Sequence, residues 1–96
     1  MYFKEGMVLS NEPGYYENGK FGIRIENLVR VKKNKKGYLF DNLTMAPIDK
    51  SLINKRMMEK NEIVWLNKYH RNVLNNLKKF MNRSELLELK LACSKI

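Results

Sequence analysis

The sequence contains little that would support an oxidised or membrane-embedded protein. Its 96 residues include one cysteine, Cys93, so an intramolecular disulfide framework is excluded and a reducing compartment is favoured. No apolar run is long enough to cross a bilayer, and the first residues lack the pattern of a signal peptide. We therefore expect a cytoplasmic chain with no membrane partner.

Acidic residues are also scarce, because 10 Asp and Glu stand against 19 Lys and Arg and give a net charge of +9. Such a balance suits phosphate-rich partners, since Lys and Arg release counterions when they neutralise phosphates. The positive residues are nevertheless scattered along the chain. The one cluster, residues 32–36, is typical of a solvated hairpin loop. A nucleic-acid binder is therefore kept as an alternative, and we expect no nucleic-acid partner.

The chain has enough apolar residues, 44%, to fold as a small globular unit. Strand-like patterns fill its first half and helix-like patterns fill its second half. This order is typical of the α+β class. We predict antiparallel strands over residues 1–48, followed by a helical extension over residues 49–96.

The strand signals lie on both sides of a sequence rich in turn residues. A short strand at residues 7–9 is predicted to turn at Pro13 and Gly14. Residues 21–31 then alternate between apolar and polar positions, which places Arg24 and Glu26 on one face. After the lysine-rich turn, residues 38–45 are expected to return antiparallel.

The helix signals begin after a connector at residues 48–58. Apolar residues recur every three or four positions over residues 63–80 and predict a helix of about five turns. Asn82, with Glu85 three residues later, predicts the capped start of a second helix. We expect two groups of side chains to pack inside: Trp65, Leu66 and Tyr69, and the methionines Met45, Met57, Met58 and Met81.

Two carboxylates, Glu12 and Glu26, flank the turn-rich stretch of this basic chain. If the strands that carry them pair, the two side chains converge, and carboxylate oxygens are ligands that divalent cations prefer. Arg24 projects from the same face as Glu26 and is suited to orienting a ligand carboxylate. Spacing alone leaves two interpretations open, a metal site and ordinary solvated surface.

The segments "GMVLSNEPGYY" and "GKFGIRIENLV" resemble the end of the metal site of aminopeptidase P, the Xaa-Pro aminopeptidases of the pita-bread metallopeptidase family. The segments "LTMAPID" and "EIVWLNKYHRNV" are similar to the C-terminal part of the long, cytosolic-type members. The resemblance covers nearly the whole chain. It implies that the strands form part of a pita-bread catalytic domain.

The resemblance also implies the chemistry. Such enzymes use two divalent metal ions, typically manganese, to activate a water that cleaves the bond before a proline at the second position of a peptide. On the matching positions, Glu12 resembles the ligand of one metal that accepts the proton of the water, and Glu26 resembles the carboxylate that bridges both metals. Arg24 resembles the arginine that orients a ligand, and Tyr16 a tyrosine that binds substrate or supports the ligands. A homodimer is implied for the complete enzyme.

The resemblance is incomplete, because the family uses five protein ligands and three of them precede the two glutamates. Asp41 and Asp49 follow Glu26 and do not match the family's aspartate motif, and the one histidine, His70, is expected to serve packing or capping. We therefore expect the chain to be the C-terminal sixth of a longer aminopeptidase and to be inactive alone. The alternatives are a non-enzymatic association module and another pita-bread peptidase, such as a prolidase.

Overall fold

The computed structural model describes residues 2–96, which divide into two compact units. One unit ends at Thr44 and carries all the strands found among the described residues, and the other, Met45–Ile96, carries the helices. The predicted α+β class is confirmed. The predicted boundary between residues 48 and 49 stays a prediction.

The first unit consists of antiparallel strands in two small sheets. The strands are β1 (Val8–Asn11), β2 (Gly14–Glu17), β3 (Phe21–Arg24), β4 (Asn27–Asn34) and β5 (Gly37–Asn42). The three-stranded sheet has the order β1-β4-β5, and β2 pairs with β3 in the other sheet.

A single pairing register runs through both sheets. Asn11 lies opposite Asn27 and Gly14 lies opposite Arg24, so each strand advances three residues between these two pairs. The N–H of Ile25 donates to the carbonyl of Pro13 at 3.0 Å, which continues the pairing between the sheets. Residues 8–17 and 21–30 therefore form one long hairpin.

This hairpin corrects two predictions. The turn predicted at Pro13 and Gly14 is wrong, because the paired strand opposite keeps this segment extended. The chain turns instead at residues 18–20, where Gly19 has a positive φ of 72°. The single strand predicted over residues 21–31 is interrupted at Ile25 and Glu26, opposite Pro13, whose nitrogen has no hydrogen to donate to a ladder.

The second predicted hairpin, β4 with β5, is confirmed and shorter than expected. Its turn comprises only Lys35 and Lys36, while the preceding lysines belong to β4, and β5 ends at Asn42. Val31 is 1% exposed and is the most deeply buried side chain of this unit. It lies on the apolar face that the alternating pattern predicts.

The second unit contains the two predicted helices, α1 (Lys60–Leu77) and α2 (Arg83–Ala92). Short 3₁₀ turns occupy Lys50–Leu52, Lys55–Met57 and Lys78–Phe80. The predicted cap of α2 is confirmed: the side chain of Asn82 accepts from the N–H of Glu85, and Glu85 accepts from the N–H of Asn82, both at 2.9 Å. These bonds satisfy backbone donors that the first helical turn leaves free.

The helical unit has one apolar core, formed by Leu66, Tyr69, Val73, Leu89 and Cys93. Met45, Met58 and Met81 pack against it as predicted. Two of the predicted core residues are exposed instead. Met57 is 81% exposed, and Trp65 is 55% exposed and stacks on the Tyr69 ring with 5.3 Å between centroids. Helical spacing identifies the face on which Trp65 lies, but it does not decide what covers that face. Within residues 2–96, no helix combines the length and the apolar character that crossing a bilayer requires.

Candidate metal centre

Glu12 and Glu26 face each other across the long hairpin. The register of the neighbouring pairs places them directly opposite one another, in the gap between the two sheets. Directly opposed residues of antiparallel strands project to the same face, with their Cβ atoms about 4.5–5.5 Å apart. The strand pairing on which the predicted convergence depends is therefore present.

Arg24 contacts both carboxylates. Its Nη1 lies 3.9 Å from Oε1 of Glu12, and its Nε lies 3.8 Å from Oε2 of Glu26. These distances describe ion pairs and are too long for good hydrogen bonds. Because two like charges directly opposite each other repel, the guanidinium stabilises an arrangement that would otherwise be unfavourable.

A further contact holds the Glu12 carboxylate. The hydroxyl of Ser10, two residues earlier on the same face, donates to Oε2 of Glu12 at 2.8 Å. The side chains of Glu12, Glu26 and Arg24 are each about half exposed, so their ion pairs contribute little to folding. Their convergence leaves the carboxylate oxygens accessible to a ligand.

Tyr16 lies on the same face and next to this cluster. Its ring covers Gly14, the residue opposite Arg24, and Gly22, its own partner in the pairing. The phenolic oxygen is at the Gly14 end of the ring. The structure therefore brings all four predicted site residues onto one face of the hairpin.

The donor set suits part of a divalent-metal site. Two carboxylates with free oxygen atoms fit hard cations such as Mn²⁺, and one of them can bridge two ions. Within residues 2–96, however, no group of three or more His, Cys, Asp or Glu side chains comes together to hold a metal. The two carboxylates of the hairpin therefore do not form a complete metal cage among the described residues.

The two aspartates of the chain, Asp41 and Asp49, have local structural partners. Asp41 accepts a hydrogen bond from Arg30 at 3.2 Å. Asp49 accepts hydrogen bonds from the N–H and the hydroxyl of Ser51, which lower the pKa of its carboxyl. These contacts account for the positions of both side chains.

His70 is fully buried in the helical unit. Its Nε2 accepts a hydrogen bond from the N–H of Ile48 at 3.1 Å, so the imidazole is neutral and carries its proton on Nδ1. Burial, followed by the positive charge of Lys50, lowers the pKa of His70. This arrangement agrees with the packing role that we expected.

Comparison with known families shows where this chain belongs. The family model described as the C-terminal region of peptidase M24 matches residues 36–96, and the model of metallopeptidase family M24 itself matches residues 1–33. The chain belongs to metallopeptidase family M24. The second match contains Glu12, Tyr16, Arg24 and Glu26.

Curated members of family M24 resemble this chain over most of its length. A probable Xaa-Pro aminopeptidase P of Metarhizium robertsii is 47% identical over 89 residues, which are 84% of this chain and 14% of that protein. Xaa-Pro aminopeptidase 1 of Dictyostelium discoideum is 47% identical over 74 residues, which are 71% of this chain and 12% of that protein. The chain thus spans about one seventh of the length of such relatives.

A solved structure of this family superposes on the chain. It is an X-prolyl aminopeptidase of Caenorhabditis elegans, described as a cytosolic enzyme with a di-nuclear active site. The TM-score is 0.81 at 36% sequence identity, and the match covers 98% of this chain and 17% of that protein. The resemblance recognised in the sequence is confirmed.

Two contributions to the site were missed in the sequence, and so was one contact within the helical unit. Ser10 holds Glu12, and its position two residues earlier on an extended segment was the available signal. Gly14 and Gly22 contact the Tyr16 ring, which only the pairing register could have indicated. Lys50 donates from Nζ to the carbonyls of Leu91 and Ser94 at the end of α2, and no local sequence pattern predicts that contact.

Proposed function

We propose that this chain supplies two ligands, Glu12 and Glu26, to the dinuclear metal centre of an Xaa-Pro aminopeptidase. The proposal depends most on one observation: the two glutamates face each other on a hairpin whose residues match family M24, and Arg24 contacts both. The relatives' names support the substrate class. The comparisons give no support to a prolidase or to a non-enzymatic association module.

Each residue has a distinct part in the proposed reaction. Bound divalent ions lower the pKa of a water and stabilise the negative charge that develops on the scissile carbonyl oxygen. Glu26 would hold both ions, and Glu12 would hold one ion and accept a proton from the attacking water at a carboxylate oxygen. Arg24 orients both carboxylates, and the Tyr16 hydroxyl lies where it can contact the peptide or a ligand.

Several finer features belong to the same proposal. The metal is manganese, since the carboxylate ligands that this chain supplies suit that ion. The substrate is a peptide with proline at its second position. The enzyme acts in the cytoplasm, as the Caenorhabditis relative does by its description, and it forms a homodimer.

A chimaeric enzyme tests this proposal. Residues 1–96 would replace the matching segment of the Caenorhabditis enzyme, which aligns with 98% of this chain. We expect the chimaera to hydrolyse an Xaa-Pro peptide with metal present and to lose that activity with a chelator. Residues 1–96 alone should show no cleavage, because two carboxylates do not complete the ligand set.

Substitutions in the chimaera assign the roles. Glu12→Gln and Glu26→Gln should each abolish measurable turnover, and Arg24→Gln should lower kcat/KM by about 10- to 100-fold, as loss of a group that supports metal ligands usually does. Glu17→Gln is the matched control, because Glu17 lies on the same hairpin and its carboxylate contacts Tyr15 and Lys20 instead. Full activity in Glu26→Gln would refute the proposal.

A further inference from the structure

Two glycines of the long hairpin, Gly14 and Gly22, have no backbone reason to be glycine. Neither has the positive φ seen at Gly6, Gly19 and Gly37, so an ordinary L-residue can adopt their conformations. Glycine inside a strand weakens that strand, because it has no side chain to pack and loses more conformational freedom on folding. Something other than backbone geometry must therefore account for them.

The Tyr16 ring supplies that reason. A Cβ atom at Gly22 would lie 2.6 Å from Cδ1 of Tyr16, and one at Gly14 would lie 2.7 Å from its phenolic oxygen. Non-bonded carbon atoms normally approach to about 3.5–4.0 Å, so neither methyl group fits while the ring stays in place. The ring rests on the bare backbone of both glycines, an arrangement known to compensate for glycine in sheets.

The pairing register shows in which direction along the hairpin the Tyr16 ring points. Gly22 lies opposite Tyr16, and Gly14 lies opposite Arg24, two residue pairs closer to the carboxylates. Because the phenolic oxygen is at the Gly14 end, the hydroxyl points along the hairpin toward Arg24 and the acidic pair. Tyr16 is 64% exposed, so the glycine contacts are the main restraint on its ring.

We propose that Gly14 and Gly22 are positioning residues that form a seat for the Tyr16 ring and so fix its hydroxyl at Gly14, on the face that carries Glu12 and Glu26. What the hydroxyl then contacts rests on the proposed function, but the seat itself does not. A methyl group at either glycine is expected to displace the ring without unfolding the hairpin.

Proton NMR of the 96-residue chain tests the seat directly. The Hα protons of Gly14 should carry a ring-current shift from the neighbouring Tyr16 ring, and Gly22→Ala should remove that shift because the displaced ring leaves Gly14 as well. Tyr16→Phe should preserve the shift and Tyr16→Ala should abolish it. Random-coil shifts for Gly14 in the unsubstituted chain, or an unchanged shift in Gly22→Ala, would overturn the proposal.

A double substitution distinguishes an effect of Gly22→Ala on the Tyr16 ring from an effect on the backbone. The N–H of Ile25, which donates to Pro13, reports local hairpin stability through its hydrogen-exchange protection. Gly22→Ala should lower that protection several-fold when Tyr16 is present, and it should leave protection unchanged or raise it in a Tyr16→Ala background. An equal loss in both backgrounds would show that Gly22 serves the backbone and would contradict the seat.

The chimaera distinguishes failure of the seat from failure of the proposed function. An inactive unsubstituted chimaera with the Gly14 ring-current shift intact would refute the function and leave the seat standing. An active chimaera whose Gly14 protons show no shift would refute the seat alone. Where both hold, Gly22→Ala should lower kcat/KM, and Tyr16→Ala should lower it no further when combined with Gly22→Ala.

Discussion

Arg24 offsets part of the repulsion within the acidic pair. Glu12 and Glu26 repel each other at directly opposed positions, and the guanidinium contacts both. The same carboxylates remain accessible to cations, because all three side chains are about half exposed. A residue that balances two charges in this way also sets their orientation.

His70 carries the clearest pH dependence at the residue scale. Burial and Lys50 lower its pKa below the ordinary value of 6.5, so the folded imidazole stays neutral where the unfolded one takes up a proton. The contribution of His70 to the free energy of unfolding of the 96-residue chain should therefore be complete above about pH 6.5. The free energy of unfolding should fall as the pH is lowered below that value. Urea unfolding between pH 7.5 and 5.5 measures this change.

Two variants check the assignment to His70. His70→Gln can still accept the Ile48 N–H and does not titrate, so it should flatten the pH dependence over this range. Lys50→Met removes the nearby charge, so it should bring the folded pKa of His70 closer to its ordinary value and make the decline smaller. A decline as steep in His70→Gln as in the unsubstituted chain would show that another group is responsible.

At the scale of elements, features that depend on residues close together in the chain could be predicted from the sequence. Features that depend on pairing with another strand could not. Asn82 and Glu85 predicted the start of α2 because a capping box depends only on residues in contact along the chain. Pro13 and Gly14 predicted a turn that is absent, because pairing with a distant strand outweighs their local preference. Predicting the convergence of Glu12 and Glu26 required both the alternating pattern and the strand pairing. Only the alternating pattern can be read from the local sequence.

The cap of α2 gives a prediction at this scale. Asn82→Ala removes the acceptor for the Glu85 N–H and should lower the free energy of unfolding by about 1 kcal/mol. Asn75→Ala is the matched control, because Asn75 is an exposed position inside α1 where alanine favours the helix. Equal effects of the two substitutions in urea unfolding would contradict the capping role.

For the whole molecule, the decisive fact is that a hairpin with two metal-ligand candidates belongs to a family whose members are much longer. The matched relatives are about seven times the length of the aligned segment, and the Caenorhabditis structure has a di-nuclear site by its description. The sequence motifs predicted this membership because their residues match those of the family's motifs. The rest of the ligand set is not among the described residues, so no pattern in this chain could have predicted its geometry.

Anomalous diffraction from manganese-soaked crystals of the active chimaera tests the central claim most directly. We expect two manganese peaks, both within about 2.0–2.6 Å of Glu26 oxygens and one of them equally near Glu12, the range of divalent-cation bonds to carboxylates. Peaks bound elsewhere, with both glutamate side chains turned to solvent, would contradict the account.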